Sequence, residues 1–365
     1  MLRRALLGSC LALVLGSCFA LVLAGCGDGE EHETKSPAAP RADLFLAIDP
    51  RIGTAGLGFG VGSAYPGPAV PFAMIHPSPD TRTQAGWSSF YHCSGCYASD
   101  PLLRAFSLVH FEGTGVPDYG AIGLLPTLAM TDAKRTEEGR MVALDKASEE
   151  MRPGYYAVTL ADGIRVEITA SRRAATFRFG FPESATPALL FALDHALEGT
   201  ITQKDYSFAG PDLNLHVHHD GGMSGGSGGY DLFARGVVDV APKSVGGYDA
   251  TELTPGQASA SASPLGAWLE FPAGTRTVNL RLGVSFVDAK GAQANLAAEA
   301  PSFDFEGMRA AAETEWKKET DRVEVYGAGE YDTTIMGTAI YHAHLMPTLM
   351  SDVDGRYVNV QGKIA

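Results

Sequence analysis

Between Gly154 and Val287 the chain repeats one pattern: short runs with apolar residues at alternate positions, separated by turn formers. GYYAVTL and GIRVEIT, divided by Ala161-Asp162, predict a hairpin. In ATFRFGF the rings of Phe177, Phe179 and Phe181 fall on one face, and ALLFAL follows. LNLHVHH (213–219), YDLFARGVVDV (230–240), GAWLEF (266–271) and TVNLRLGVSFV (277–287) continue the series. The 43 glycines and 21 prolines among 365 residues supply the many turns such a mainly β fold requires. The glycines of GGMSGGSGG (221–229) lack the Lys-Ser/Thr ending of a phosphate-binding loop and read as a flexible inter-strand loop.

The character changes near residue 303. Phe305, Met308, Ala312 and Trp316 recur at helical spacing, and Glu313 is placed to pair with Lys317. A second helix is predicted over roughly 332–346. Asp332 is its candidate N-cap, Ile335, Met336, Ala339, Ile340 and Ala343 form its apolar stripe, and Pro347 ends it. That stripe has little later sequence to cover it. Either it packs on the β domain or a partner, or the chain is the front part of something longer.

MLRR, the apolar run after it and LAGC (23–26) make a bacterial lipoprotein signal, with Cys26 as the acylated first residue. LGSC (15–18) is a weaker alternative cleavage site. The polar residues from Cys26 to about 42 read as a tether. The expected location is the bacterial cell envelope, on the exported side of a membrane that holds the lipid anchor. Processing leaves Cys93 and Cys96, in HCSGCY, as a local disulfide or a free pair. No second ligand pair accompanies them for zinc, and no βαβ context suggests redox chemistry. A formal net charge of −14 excludes a nucleic-acid binder, which needs a basic footprint.

The segments 49–80, 86–97 and 106–127 are rich in Gly and Pro. They place Trp87, Tyr91, His92, His110, Glu112 and Asp118 in loops around the strands. Aromatic rings beside carboxylates and imidazoles suit sugar recognition, in which a ring stacks on the C–H face of a pyranose and polar groups bind its hydroxyls. The competing reading is core packing for Trp87 and Tyr91 and a turn-forming role for Asp118. His216 and His218 share a strand face. With no third ligand identifiable, they read as a hydrogen-bonded face and not a metal pair. His342 and His344 lie two apart on a helix and do not share a face.

DPRIGT (49–54), YPGPAVPFAMIHPSPDT (65–81), AFSLVHFEGTGVPDYGAIGLLPT (105–127), PGYYAVTL (153–160), SFVDAKGAQANL (285–296) and YHAHLMPTLMSDVDGRY (341–357) occur in an order that resembles glycoside hydrolase family 92, the calcium-dependent exo-acting α-mannosidases. The resemblance implies a galactose-mutarotase-like β-supersandwich over 43–300, a linker helix over 301–328, and over 329–365 the truncated start of an (α/α)6 catalytic barrel. It also implies hydrolysis of terminal α-linked mannose with inversion, at a site between the two domains. One acid protonates the leaving oxygen, one carboxylate activates water, and a calcium ion contacts the sugar. The family's acid, base and most calcium ligands lie in the barrel beyond this chain, so no catalytic residue and no metal ligand is carried over. Carried over as sugar contacts are Trp87 and the GTGVPDYG loop with Asp118, together with Asp352 and Asp354 of DVDGRY. Tyr91 and His110 are added from their loops. The family's FSHTHLSGTG is here FSLVHFEGTG, with Leu108, Phe111 and Glu112 as departures. The DxDG spacing resembles the start of a calcium loop, but its later acidic positions are missing.

Two functions follow as expectations. One is the N-terminal part of an exported α-mannosidase, acting on mannose-containing glycans and completed by a separately encoded barrel fragment. The other is a non-catalytic carbohydrate-binding or scaffold lipoprotein. A complete hydrolase using Glu112, Asp118, Asp352 or Asp354 ranks last, because no two of these make a recognisable acid and base pair.

Overall fold

The computed structural model describes residues 39–57, 62–83, 91–183, 185–261 and 264–365. The leader, Cys26 and Trp87 lie outside the described residues. The elements below belong to one unit spanning Pro40–Ala365. The first half of the unit carries β1 (Ser78–Arg82), β2 (Leu102–Ser107), β3 (Gly123–Thr127), β4 (Val142–Arg152), β5 (Tyr155–Leu160), β6 (Arg165–Ala170), β7 (Ala174–Gly180) and β8 (Ala188–Ala192). Then come β9 (Thr200–Ala209), β10 (Asp212–Asp220), β11 (Tyr230–Val238), β12 (Ser244–Tyr248), β13 (Leu253–Pro255), β14 (Ser259–Ser261), β15 (Gly266–Glu270) and β16 (Thr277–Ser285). The helices are a short α1 (Glu137–Arg140), α2 (Ala289–Glu299), α3 (Phe305–Thr320) and α4 (Glu330–Leu345).

Every run singled out by alternation is a strand. Hydrogen bonding links the sixteen strands in the order β13-β12-β15-β8-β3-β2-β4-β5-β6-β7-β16-β11-β10-β9-β14, with β1 on β2. The long strand β4 joins the two halves. Its start pairs with β2 and its remainder with β5, through a register shift after Asp145. The halves fold over one another. Phe106 of β2 meets Tyr156 of β5 edge-on at 6.1 Å, and Phe191 of β8 meets Phe208 of β9 at 6.2 Å. The alternating burial of β10, β11 and β16 is what one apolar face turned to such a core produces. Phe177 and Phe179 are fully buried and stacked at 6.0 Å.

The helices lie against this body. α2, which hydrophobic periodicity does not reveal, packs on β16 and β11, and Asp288 caps it by accepting from Gly291 N–H. α3 buries Phe305, Ala312 and Trp316 as expected, and the Trp316 indole donates to the Ala69 carbonyl at 2.7 Å. Glu313 pairs with Arg309 and not with Lys317, whose ammonium lies over the Phe45 ring.

α4 differs from expectation in two ways. Its N-cap is Gly329, with Asp332 inside the first turn. Its buried face is Gly337, Thr338, Tyr341 and Leu345, whereas Ile335 and Met336 are 42% and 43% exposed. The cause is close approach: a Cβ on Gly337 would sit 2.4 Å from the Leu44 carbonyl oxygen, so only glycine lets the helix seat on that side. Arg41 and Ala42, assigned to the tether, instead join the fold through the Val325–Tyr326 segment. No helix among the described residues is long and apolar enough to cross a membrane.

Candidate functional site

The loop from β2 to β3 is built around buried charge. The His110 ring faces the His76 carbonyl through Nδ1 at 2.7 Å and the Asp80 carboxylate through Nε2 at 2.9 Å. The other Asp80 oxygen accepts from His195 Nε2 at 2.6 Å. All three side chains are fully buried. Burial alone would raise the Asp80 carboxyl, but His110 and His195 hold it below the usual carboxylate range. His110 is thus a strut inside the sandwich and not a rim residue. Its partners are the His76 carbonyl, Asp80 and the nearby Ser107 hydroxyl, while His195 holds the other oxygen of Asp80; no local spacing links His110 to Asp80 or Asp80 to His195.

Asp118 is also fully buried. It accepts from the Met223 and Ser224 amides at 2.9 and 2.7 Å and from the Ser224 hydroxyl at 3.0 Å. It therefore pins the glycine-rich loop to the HFEGTGVPDYG loop. A Cβ on Gly221 would come 2.1 Å from the Asp118 carboxylate, which explains a glycine there. Beside these residues Phe111 stacks on Tyr119 at 4.0 Å, and Tyr119 meets Tyr230 edge-on. Tyr91 is half-buried with its ring edge-on to Tyr97.

The DVDGRY turn divides its two aspartates. Asp352 is buried and accepts from Ser285 Oγ at 2.9 Å and Asn295 Nδ2 at 2.7 Å. Burial pushes its carboxyl up, against the lowering effect of those two bonds. Asp354 is exposed and pairs with Arg356 Nε at 2.7 Å, which holds its carboxyl down. Arg356 also reaches Asp288, the cap of α2, at 2.6 Å. The side chains of His110, Asp118 and Asp352 thus face inward and hold loops. Tyr91 and Asp354 keep exposed surface.

The remaining polar joint was not assigned a role by sequence. Glu112 accepts from the Tyr65 amide at 3.2 Å and lies 3.9 Å from His342 Nδ1 of α4. Cys93 and Cys96 are buried and form no disulfide with one another. Burial raises both thiols.

The family model for the glycosyl hydrolase family 92 N-terminal domain matches residues 47–285, and that for the family 92 catalytic domain matches residues 291–365. The chain belongs to glycosyl hydrolase family 92. It covers the N-terminal domain and the start of the catalytic domain. A relative from Arthroderma benhamiae, described as an uncharacterized secreted glycosidase, is 26% identical over 336 residues, 84% of this chain and 42% of the relative. A family 92 α-mannosidase from Bacteroides thetaiotaomicron superposes with a TM-score of 0.79 at 25% identity, covering 88% of this chain and 44% of that one. An inverting family 92 mannosidase from the same organism superposes at 0.76 with 21% identity, covering 91% and 43%. The chain spans less than half the length of these relatives.

The calcium implied for family 92 finds no suitable donor set among the described residues, where no group of three or more His, Cys, Asp or Glu could hold a metal ion. Both oxygens of Asp352 are engaged by neutral donors and Asp354 is engaged by a guanidinium. Such a pair does not offer the six to eight oxygens that calcium takes. His216 is bracketed by Asp205 at 2.7 Å and Asp231 at 2.8 Å, and His218 bonds to Asp231 at 3.2 Å. This is the hydrogen-bonded face expected of them.

Proposed function

We propose that this family 92 chain forms the sandwich wall and the first helices of an exported α-mannosidase that removes terminal α-linked mannose from glycans with inversion. The observation that carries the reading is the ordered match to both family 92 domains, with the β2–β3 loop and the DVDGRY turn held by internal hydrogen bonds. In this reading Trp87, Tyr91 and Asp354 contact the sugar. His110, Asp118 and Asp352 act behind them by fixing the loops. Inverting hydrolysis requires an acid and a base about 6.5–9.5 Å apart with water between. Asp118 and Asp352 are committed to holding backbone and side-chain donors, which leaves them poorly suited to proton transfer. The acid, the base and the calcium ligands then come from further catalytic-domain sequence, including the case of a separately encoded fragment. The secreted description of the fungal relative supports export, and the LAGC signal supports anchoring through Cys26 on the outer side of a bacterial membrane.

The test is mannose release from an α-linked disaccharide. The purified chain alone is expected to release none, and addition of a fragment supplying the rest of the catalytic domain is expected to produce release. Turnover by the chain alone would overturn the division of labour. Mannose binding without turnover under either condition, abolished by Trp87→Ala, would make the chain a binding module instead.

A further inference from the structure

The joint between the β2–β3 loop and α4 contains a carboxyl group with almost no compensation. The Glu112 side chain is 7% exposed. Its neighbours are the Tyr65 amide, the Tyr65 and Tyr341 rings, and His342. Among the described residues no Lys or Arg forms an ion pair with it. The buried hydroxyls of Tyr65 and Tyr341 and the Nε2 of His342 have no hydrogen-bond partner, so the joint is short of polar groups that could solvate a charge. From α3 the neighbour is Trp316, whose ring lies tilted against Tyr341 at 4.6 Å and which spends its N–H on Ala69. Behind Tyr65 lie His110 and His76, ring to ring at 5.6 and 5.4 Å, with His110 already committed to Asp80.

We propose that Glu112 keeps its proton at neutral pH beside a neutral His342, so that the β2–β3 loop of the sandwich packs on α4 through an uncharged contact, and that losing this proton loosens the joint. An ionised pair would need two charges stabilised where the structure offers one backbone amide. The neutral pair needs none. Burial pushes the Glu112 carboxyl up to about 8, against the lowering effect of the Tyr65 amide, and burial lowers the His342 imidazole. Both shifts favour the proton on the carboxyl.

The sign follows from proton binding. Unfolded, Glu112 ionises in the ordinary carboxylate range near 4.5; folded, it keeps its proton to about 8. Between those values the folded state binds more protons, so stability falls as pH rises through the window and is level above it. The folded-to-unfolded ratio contributed by this site falls by up to about tenfold per pH unit.

The experiment is denaturant unfolding of the purified chain from about pH 5.5 to 8.5, in wild type, Glu112→Gln and Glu112→Ala. Glutamine mimics the neutral acid. Glu112→Gln is expected to lose the alkaline decline and to exceed wild type at the upper end, while Glu112→Ala is weaker at the acid end. Infrared difference spectra at neutral pH are expected to show a protonated-carboxyl band in wild type that Glu112→Gln lacks. If Glu112→Gln does not fold, the band is read in His342→Gln, which retains the acid and should retain the band. The same pH slope in wild type and Glu112→Gln overturns the proposal, as does a neutral-pH band that Glu112→Gln leaves unchanged. Absence of the band in wild type and His342→Gln overturns it too.

Discussion

The sheet β6-β7-β16-β11-β10 and the helix α4 carry equally legible apolar patterns, yet they use them in opposite ways. On the sheet, alternation and burial coincide: Val166, Ile168, Phe177, Phe179, Leu280 and Leu282 are all fully buried. On α4 the stripe read from sequence is not the face that docks. Gly337, Thr338, Tyr341 and Leu345 go in, while Tyr331, Ile335 and Met336 stay at 77%, 42% and 43% exposure. A strand inside a closed sandwich has only one core to face. A helix at the border can meet the sandwich with small residues and offer its larger apolar ones elsewhere.

The largest effect expected from this difference is in the sheet. Phe177→Ala removes a fully buried ring stacked on Phe179 and should cost about 3–5 kcal/mol, read as a drop in the urea midpoint at unchanged slope. A cost near that of a surface substitution would mean that the two halves of the sandwich are not closed over one core.

How much could be read in advance follows from the same contrast. The strands were legible because period-two alternation is set by geometry within each strand. α3 was legible because Phe305, Ala312 and Trp316 repeat on one face. α2 was not, because it buries Gly291, Ala292, Asn295 and Leu296, small or polar residues that make no stripe. The sugar-facing residues were the least legible part. His110 is explained by Asp80 and His195, Asp118 by the amides of Met223 and Ser224, and Asp352 by Ser285 and Asn295. Apart from Ser107, which bonds His110 from three residues away, these partners lie far along the chain, where no spacing rule reaches.

An intermediate effect is expected where a loop depends on one buried carboxylate. Asp118→Ala leaves the Met223 and Ser224 amides without their acceptor and should cost about 1–3 kcal/mol. The loss should concentrate in the glycine-rich loop, seen as faster amide hydrogen exchange over 221–229 with little change in β10 or β11. Equal loss of protection across those strands would make Asp118 a core residue and not a loop anchor.

The smallest effect is the most informative about α4. Replacing both Ile335 and Met336 by Ser exchanges exposed apolar surface for polar surface on a face the sandwich does not use. Surface changes of this kind usually fall within about 0.5 kcal/mol. The purified chain should therefore unfold at the same denaturant concentration as wild type. The same pair of substitutions should weaken association with a fragment carrying the rest of the catalytic domain, because an apolar helix face covered on assembly gives up the stabilisation that burial would provide. Destabilisation of the chain alone would mean that this face is already packed in solution. No change in association would mean that the catalytic domain is completed on another side of α4.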